Sequence, residues 1–317
     1  MSAQTFAALR LRARLYALIR EFFAARGVLE VETPILSAAA NTDPNIESFV
    51  TRFSGHADAG ERERWLRTSP EFPLKRLLAA GLGDCYELGR VFRDGESGKR
   101  HNPEFTLLEW YRVGWDHRRL AGETVDLVQA ALALVGRRAE VRTMTYRALF
   151  LENLGLDPLT ADIDTLAAPL RDRIDPRGLE RDDWLDLLLT HRLQPAFPYD
   201  RLTVICDYPA GQCALARLRP DTPPVAERFE VYLGPQELAN GYHELNDAAE
   251  QRLRFERDNA RRRARGQRAM PIDERLLAVL DALPDSAGVA LGVDRLLMGM
   301  LGTDAIADVL AFPFAEA

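Results

Sequence analysis

Apolar positions in the first two dozen residues recur at helical spacing. Leu11, Leu15, Leu18, Ile19 and Phe22 form one stripe among arginines, which predicts an amphipathic helix ending near Gly27. The next run, VLEVETPIL, alternates and reads as a strand that stops at Pro34, where a backbone donor is lost. Residues 41–64 are mixed and polar, the pattern of loops and short strands, and TSPEFPLKRLLAAGL reads as a loop feeding a helix. CYELGRVFRD and PEFTLLEWYRV both alternate around the polar stretch GESGKRHN, predicting two antiparallel strands with a long connection. In the second, Phe105, Leu107, Glu109, Tyr111 and Val113 share a face by the period of two, so a carboxylate lies between aromatics.

Residues 117–194 carry leucines at helical spacing, interrupted by turn signals such as RIDPRG, and read as an inserted helical module. Strand patterns return in LTVICDY and RFEVYLG, followed by QELANGYHELND. If that last segment is a strand continuing past Gly241, then Asn240, Tyr242 and Glu244 share one face; Asn240-Gly241 as a hairpin turn would break the set up. A polar, arginine-rich helix over roughly 248–265 precedes the apolar strand SAGVALGV, which turns into DRLLMGMLG with Asp294 as candidate cap. Strands scattered among helices, several paired by hairpin-like connections, predict an α+β fold with a mostly antiparallel sheet flanked by helices.

Composition narrows the class. With 317 residues, 47% hydrophobic and 28% charged, the chain has the balance of a folded enzyme rather than a disordered one. A net charge of −7 argues against holding nucleic acid by bulk electrostatics. Cys85, Cys206 and Cys213 form no CxxC pair, so neither a disulfide framework nor a zinc-cysteine cluster is expected, and a reducing cytoplasmic setting fits. No run reads as a signal peptide or a membrane span. His56, His117 and His191 are isolated and read as surface or capping residues rather than ligands. The arginines at 252, 254, 257, 261, 262, 263, 265 and 268 read as a solvated helix face.

No Walker loop, Rossmann GxGxxG, HExxH helix or GxSxG elbow is present. Instead, arginines and carboxylates cluster with aromatics on strands. The order VETPIL, then FRD…RHNPEFTLLEWY, then ELANGYHELND, then GVALGVDR resembles the three signature motifs of class II aminoacyl-tRNA synthetases in their lysyl version. The resemblance covers essentially the whole chain, implying one class II catalytic domain over 1–317 with a helical insertion at about 117–194. The first motif begins by residue 28, so no N-terminal anticodon-binding domain is expected. The chain therefore resembles the short lysyl-synthetase paralogues that ligate (R)-β-lysine to a lysine of elongation factor P.

That resemblance implies a site, position by position. Arg93 would contact the α-phosphate of ATP, and Arg295 with His101 the γ-phosphate end. Phe105 would stack on adenine, Gly292 would permit close approach, and Asn102 would complete the ATP contacts. Glu230 and Glu237 would hold Mg2+, with Glu237 also counted among the ATP contacts. Ser69, Glu71, Glu109, Tyr111, Asn240 and Glu244 would bind the substrate: Glu71 at the backbone-side amine, Glu109 and Glu244 at the side-chain ammonium. Ala290 stands where the tRNA enzymes usually have glycine and would disfavour the α-amino isomer. One departure stands out: Arg93-Asp94-Gly95-Glu96 displaces the usual glutamate by one residue, so Glu96 is an ATP-contact candidate whose role stays open. The resemblance also implies a homodimer and no tRNA charging. Two rival readings are a truncated enzyme acting on α-lysine with another acceptor and a non-catalytic lysine or nucleotide sensor.

Overall fold

In chain order the protein opens with helix α1 (Ala3–Ala24), short strands β1 (Leu29–Glu30), β2 (Leu36–Ser37), β3 (Val50–Arg52) and β4 (Glu63–Leu66), helix α2 (Glu71–Ala79), and the long strands β5 (Cys85–Phe92) and β6 (Glu104–Val113). There follow α3 (His117–Ala133), β7 (Glu140–Thr145), α4 (Tyr146–Leu154), α5 (Ile163–Ala167), α6 (Arg181–Leu188), β8 (Arg201–Pro209), β9 (Leu218–Arg219), β10 (Val225–Leu233) and β11 (Gln236–His243). The chain closes with α7 (Ala248–Ala264), α8 (Glu274–Leu277), β12 (Ser286–Gly292) and α9 (Val293–Leu301). This computed structural model describes residues 3–56, 58, 60 and 62–317, so Met1 and Ser2 of the expected first helix lie outside the described residues. Two compact units emerge, one from residues 1–114 and 245–317, the other from 115–244.

In the first unit β6 lies between β5 and β12 and pairs antiparallel with both, while β1 adds a parallel edge to β5. Alternation along β6 separates two jobs. Thr106, Leu108 and Trp110 turn to one face, where Phe23 of α1 meets the Trp110 ring at 5.4 Å and stacks on Tyr86 at 4.5 Å. The α1 stripe is buried there through Leu11, Leu15, Ile19, Phe22 and Phe23, each large side chain worth about 1.5–3 kcal/mol. The other face of β6 is left for Phe105, Leu107, Glu109 and Tyr111. The expected strand before Pro34 is instead two fragments, β1 and β2, on either side of the proline. Asp294 is no helix cap: Gly292 holds the cap position of α9, and Asp294 accepts the Thr106 amide at 2.7 Å and pairs with Arg12. It thereby ties α9 to β6 and α1.

The arginine-rich helix α7 departs from expectation in part. Arg254 and Arg262 are buried, and Arg262 donates to the carbonyls of Asp43, Ile46 and Arg268 and to the Glu47 carboxylate. A guanidinium with five donors can satisfy a polar loop from inside, which spacing along one helix does not reveal. Arg257 and Arg263 do face solvent.

In the second unit the strands run β11-β10-β8-β7, with β9 beside β10. β11-β10, β10-β8 and β9-β10 are antiparallel and β7-β8 is parallel. The helical stretch 117–194 also contains strand β7, where Val141, Thr143 and Thr145 supply β-branched residues. Helices α4 to α6 close over a core of Tyr146, Phe150, Leu166, Trp184, Leu185 and Tyr208. β11 runs unbroken through Gly241, with Asn240 opposite Glu230 and Tyr242 opposite Arg228. The turn falls earlier, at Gly234-Pro235, where Gly234 has φ +55°. Asn240-Gly241 is therefore strand, and the three-residue face stands.

Candidate active site

The candidate residues fall into two sets, one on each unit. In the first unit, β6 presents Glu109, buried, with Ser69 Oγ donating to one carboxylate oxygen at 2.9 Å and Tyr111 OH to the other at 2.8 Å. Ser69 also accepts the Glu71 amide at 2.9 Å, which fixes the start of α2 against β6. Glu71 pairs at 2.6 Å with Lys75, one turn on and itself buried, so an amine brought to Glu71 would share its carboxylate.

Around Glu109 the neighbouring strands are small. Ala290 lies opposite Glu109 on β12, Gly292 opposite Leu107 and Gly288 opposite Tyr111; on β5, Gly89 lies opposite Leu107. The bed of strand residues beside Glu109 therefore carries little side-chain bulk. A Cβ on Gly89 would fall 2.6 Å from Arg67 Nη2, and Arg67 cannot easily move: it donates to Arg90 O, Thr33 O, Thr33 Oγ1 and, at 2.5 Å, to Glu87. Glu87 is itself opposite Glu109, so a buried ion pair braces this part of the bed.

At the Phe105 end, the Arg93 guanidinium lies 5.1 Å from the Phe105 ring centre and 3.6 Å from Glu96. The displaced glutamate thus reaches the arginine of its own motif. Arg93 Nε is buried with no hydrogen-bond partner, a donor in want of an acceptor. Arg295, in the first turn of α9, holds His101 Nε2 at 2.8 Å. The His101 ring keeps contact with solvent, yet desolvation and then the Arg295 charge lower its pKa below the usual histidine value. Asn102 bridges to the Glu104 carbonyl at 2.7 Å and to the Phe314 amide at 2.9 Å.

The second unit carries the other set. Arg228, Glu230 and Tyr232 alternate along β10 and share a face with Asn240, Tyr242 and Glu244 of β11 and its exit. Arg228 is the hub: it donates to Glu230 Oε1 at 2.5 Å, Asn240 Oδ1 at 3.1 Å and Gln212 O at 2.8 Å, and lies 4.5 Å over the Tyr208 ring. Tyr232 OH donates to the second Glu230 oxygen, and Asn240 Nδ2 donates to Tyr242 OH at 3.0 Å. Glu237 is opposite Tyr232, whose phenol is pushed up by burial and then by the charges of Glu230 and Glu237. Glu244 is almost fully buried beside a short bridge to Ala216.

Two elements escaped the sequence reading. Arg67 with Glu87, and Arg228 as hub, had no signature, although a glutamate flanked at ±2 by an arginine and a tyrosine in RFEVY is a signal that one face of a strand carries a charge pair. His117 was read as a surface or capping residue; it is buried at the start of α3, where Asp116 is the cap, with Nε2 on Asp207 at 3.0 Å. His56 and His191 are exposed as expected.

Carboxylates and guanidiniums facing a bed of small residues suit a reaction in which an acid is joined to a phosphate. The chain belongs to the tRNA synthetases class II (D, K and N), whose family model matches residues 1–316. Within that group it is similar to elongation factor P–(R)-β-lysine ligase of Vibrio cholerae serotype O1, at 47% identity over 323 residues covering 100% of this chain and 98% of that one. The ligase of the same name from Klebsiella pneumoniae strain 342 is 49% identical over 306 residues, covering 95% and 93%, and that of Proteus mirabilis 48% over 311 residues, covering 96% and 94%.

Proposed function

We propose that this chain is an ATP-dependent, AMP-forming ligase that activates (R)-β-lysine and transfers it to the ε-amine of a lysine on elongation factor P. The observation that carries the reading is Glu109, a buried carboxylate that accepts hydrogen bonds from two neutral hydroxyls, Ser69 and Tyr111, on the β6 face turned away from α1. Such holders orient the carboxylate without cancelling its charge, which suits it to an ammonium group.

In the first step a carboxylate oxygen of β-lysine forms a bond to the α-phosphorus of ATP, and the bond from that phosphorus to the β-phosphate oxygen breaks, releasing pyrophosphate. Arg93 meets the charge growing on the α-phosphate; a preorganised donor of this kind is worth about 3–4 kcal/mol of transition-state stabilisation. Phe105 offers its ring to adenine, Asn102 and Glu96 flank the nucleotide, and Arg295 with His101 takes the far phosphate. In the second step the acceptor amine attacks the acyl carbon, AMP departs with the bonding electrons, and the amine loses a proton. In the first unit Glu109 and Tyr111 are the residues offered to the substrate ammonium and Glu71 to its other amine.

Glu230 and Glu237 fit Mg2+ by donor chemistry. Both are hard oxygen ligands, and each Glu230 oxygen, with one donor already bound, keeps a further lone pair. Bound there, the ion would neutralise phosphate charge. Ala290 narrows the bed opposite Glu109 and supports a preference for the β-isomer. A homodimer is supported by exposed apolar side chains of the first unit, Leu29, Ile35, Leu36, Val50 and Phe53. No helix among the described residues is long and apolar enough to cross a membrane, and the proposed workplace is the cytoplasm.

ATP–pyrophosphate exchange with (R)-β-lysine and α-lysine in parallel, followed by transfer to purified elongation factor P and to total tRNA, tests the reading. Exchange that favours β-lysine with label on the factor is the expected result. Preference for α-lysine with label on tRNA overturns it, and no exchange with either amino acid overturns the enzymatic reading altogether.

A further inference from the structure

Behind the strand face that carries Asn240, Tyr242 and Glu244, the same strands bring together side chains that the proposed ligase reaction does not use. His117 at the start of α3, Glu227 on β10 and His243 at the end of β11 each offer one ligand atom, and these atoms lie within 4.8 Å of one another. Their positions follow from the register: Arg228 opposes Tyr242, so Glu227 and His243 are neighbours on the reverse face, with His243 Nδ1 2.5 Å from Glu227 Oε2.

Three features separate this group from an ordinary polar cluster. His117 is 2% exposed, and its Nδ1 is buried with no hydrogen-bond partner. An imidazole nitrogen buried at that depth without a partner is destabilising unless something binds it. The other ring nitrogen, Nε2, is held at 3.0 Å by Asp207, and the proton shared there leaves the Nδ1 lone pair for a ligand. A carboxylate behind a histidine is the arrangement that orients imidazole ligands on metal ions and raises their basicity. Asp207 itself sits at φ +59°, in the left-handed region that asparagine and aspartate adopt more readily than other side chains.

We infer that His117, Glu227 and His243 form a binding site for a divalent d-block cation of the zinc kind, with Asp207 orienting His117 from behind. Two imidazoles and one carboxylate match zinc, cobalt or nickel better than magnesium or calcium, which take oxygen. The neighbouring cations do not cancel the site. Arg118 and Arg219 are spent on Asp207, Arg219 is further engaged by Asp221, and its approach to Glu227 is a looser 3.6 Å on Oε1, away from the oxygen beside His243. In a tetrahedral sphere donors sit about 3.4 Å apart. The His243–Glu227 contact therefore opens and the wider spacing closes, each by roughly 1 Å, and half-buried Glu227 is the flexible arm for both movements. The ion would tie α3 to β10 and β11. Through His243, which lies between Tyr242 and Glu244 in the chain, it would fix from behind the strand that faces the proposed substrate.

The test does not depend on the proposed reaction. The full-length protein, stripped with chelator and dialysed, is titrated with Zn(II) against a chromophoric competitor and with Co(II) in the visible range. Expected are one tight equivalent, d–d bands of four- or five-coordinate cobalt, and a rise in melting temperature with Zn(II). His117→Asn and His243→Asn should each weaken binding by about 100-fold or more, Asp207→Asn by about 10- to 100-fold, and His191→Asn not at all. Asparagine tolerates the backbone conformation of residue 207, and Glu227→Gln replaces any histidine variant whose circular dichroism shows misfolding. Absence of cobalt bands together with no zinc-dependent shift in melting temperature overturns the site. So does equal zinc affinity in wild type and His117→Asn.

Discussion

Glu109 and Glu230 are both buried carboxylates on strand faces, and they are held in opposite ways. Glu109 takes hydrogen bonds from two neutral hydroxyls, Ser69 and Tyr111, whereas Glu230 is gripped by the Arg228 guanidinium and the Tyr232 phenol. Partners of the first kind orient a carboxylate without offsetting its charge. The second offsets much of the charge permanently, so that burial is tolerable and an ion can be added without the carboxylate swinging away. The lesson is that a carboxylate's partners, more than its depth, separate a substrate anchor from a scaffolded ligand.

Breaking the second arrangement should have the largest effect. Arg228→Ala strands Glu230 without its cation and is expected to cost about 3–5 kcal/mol in urea unfolding; a loss below 1 kcal/mol would mean that the guanidinium does not carry Glu230. Breaking the first should spare the fold and strike the reaction. Glu109→Gln is expected to lower kcat/KM for β-lysine in pyrophosphate exchange by about 30- to 150-fold, from a loss of about 2–3 kcal/mol, with an unchanged unfolding midpoint. If stability falls and exchange does not, the contrast is wrong. Ala290→Gly, which widens the bed opposite Glu109, should shift the β-to-α substrate ratio by about fivefold to tenfold, within the 1–3 kcal/mol available to a methyl-sized difference; an unchanged ratio removes the steric account.

The smallest effect concerns His101. Its pKa is lowered in the folded protein, so below the ordinary histidine value the unfolded chain takes up a proton before the native ring does. Stability should therefore fall as pH drops from about 6.5 through the native value. His101→Gln should flatten that dependence in urea midpoints compared at pH 7.5 and 5.5. An identical slope in both proteins would show that the contact with Arg295 does not tune the ring.

What was legible in the sequence were the faces of single strands. Period two put Glu109 with Tyr111 and, once β11 ran through Gly241, Asn240 with Tyr242 and Glu244. The family motifs supplied roles for these residues that periodicity could not. Partnerships between distant segments stayed hidden. Arg67 meets Glu87 and Thr33 from three segments, Arg262 meets Glu47 across more than two hundred positions, and His117 meets Asp207 across ninety. In each case the residue alone reads as a solvated charge or a surface imidazole, and only the fold supplies the partner that makes burial affordable. The break of the first strand at Pro34 was half legible: the lost donor was visible, the resumption as β2 was not.

Because β11 commits every side chain to one of two faces, its length is constrained in a way its composition is not. Inserting or deleting one residue between Gln236 and His243 would turn Tyr242 and Glu244 toward α3 and send His243 to the opposite side. Divergence among related chains should therefore show substitutions here without gaps. The connection from Gly95 to Asn102, outside any ladder of that kind, is where length can drift, and the displaced Glu96 is the form such drift would take.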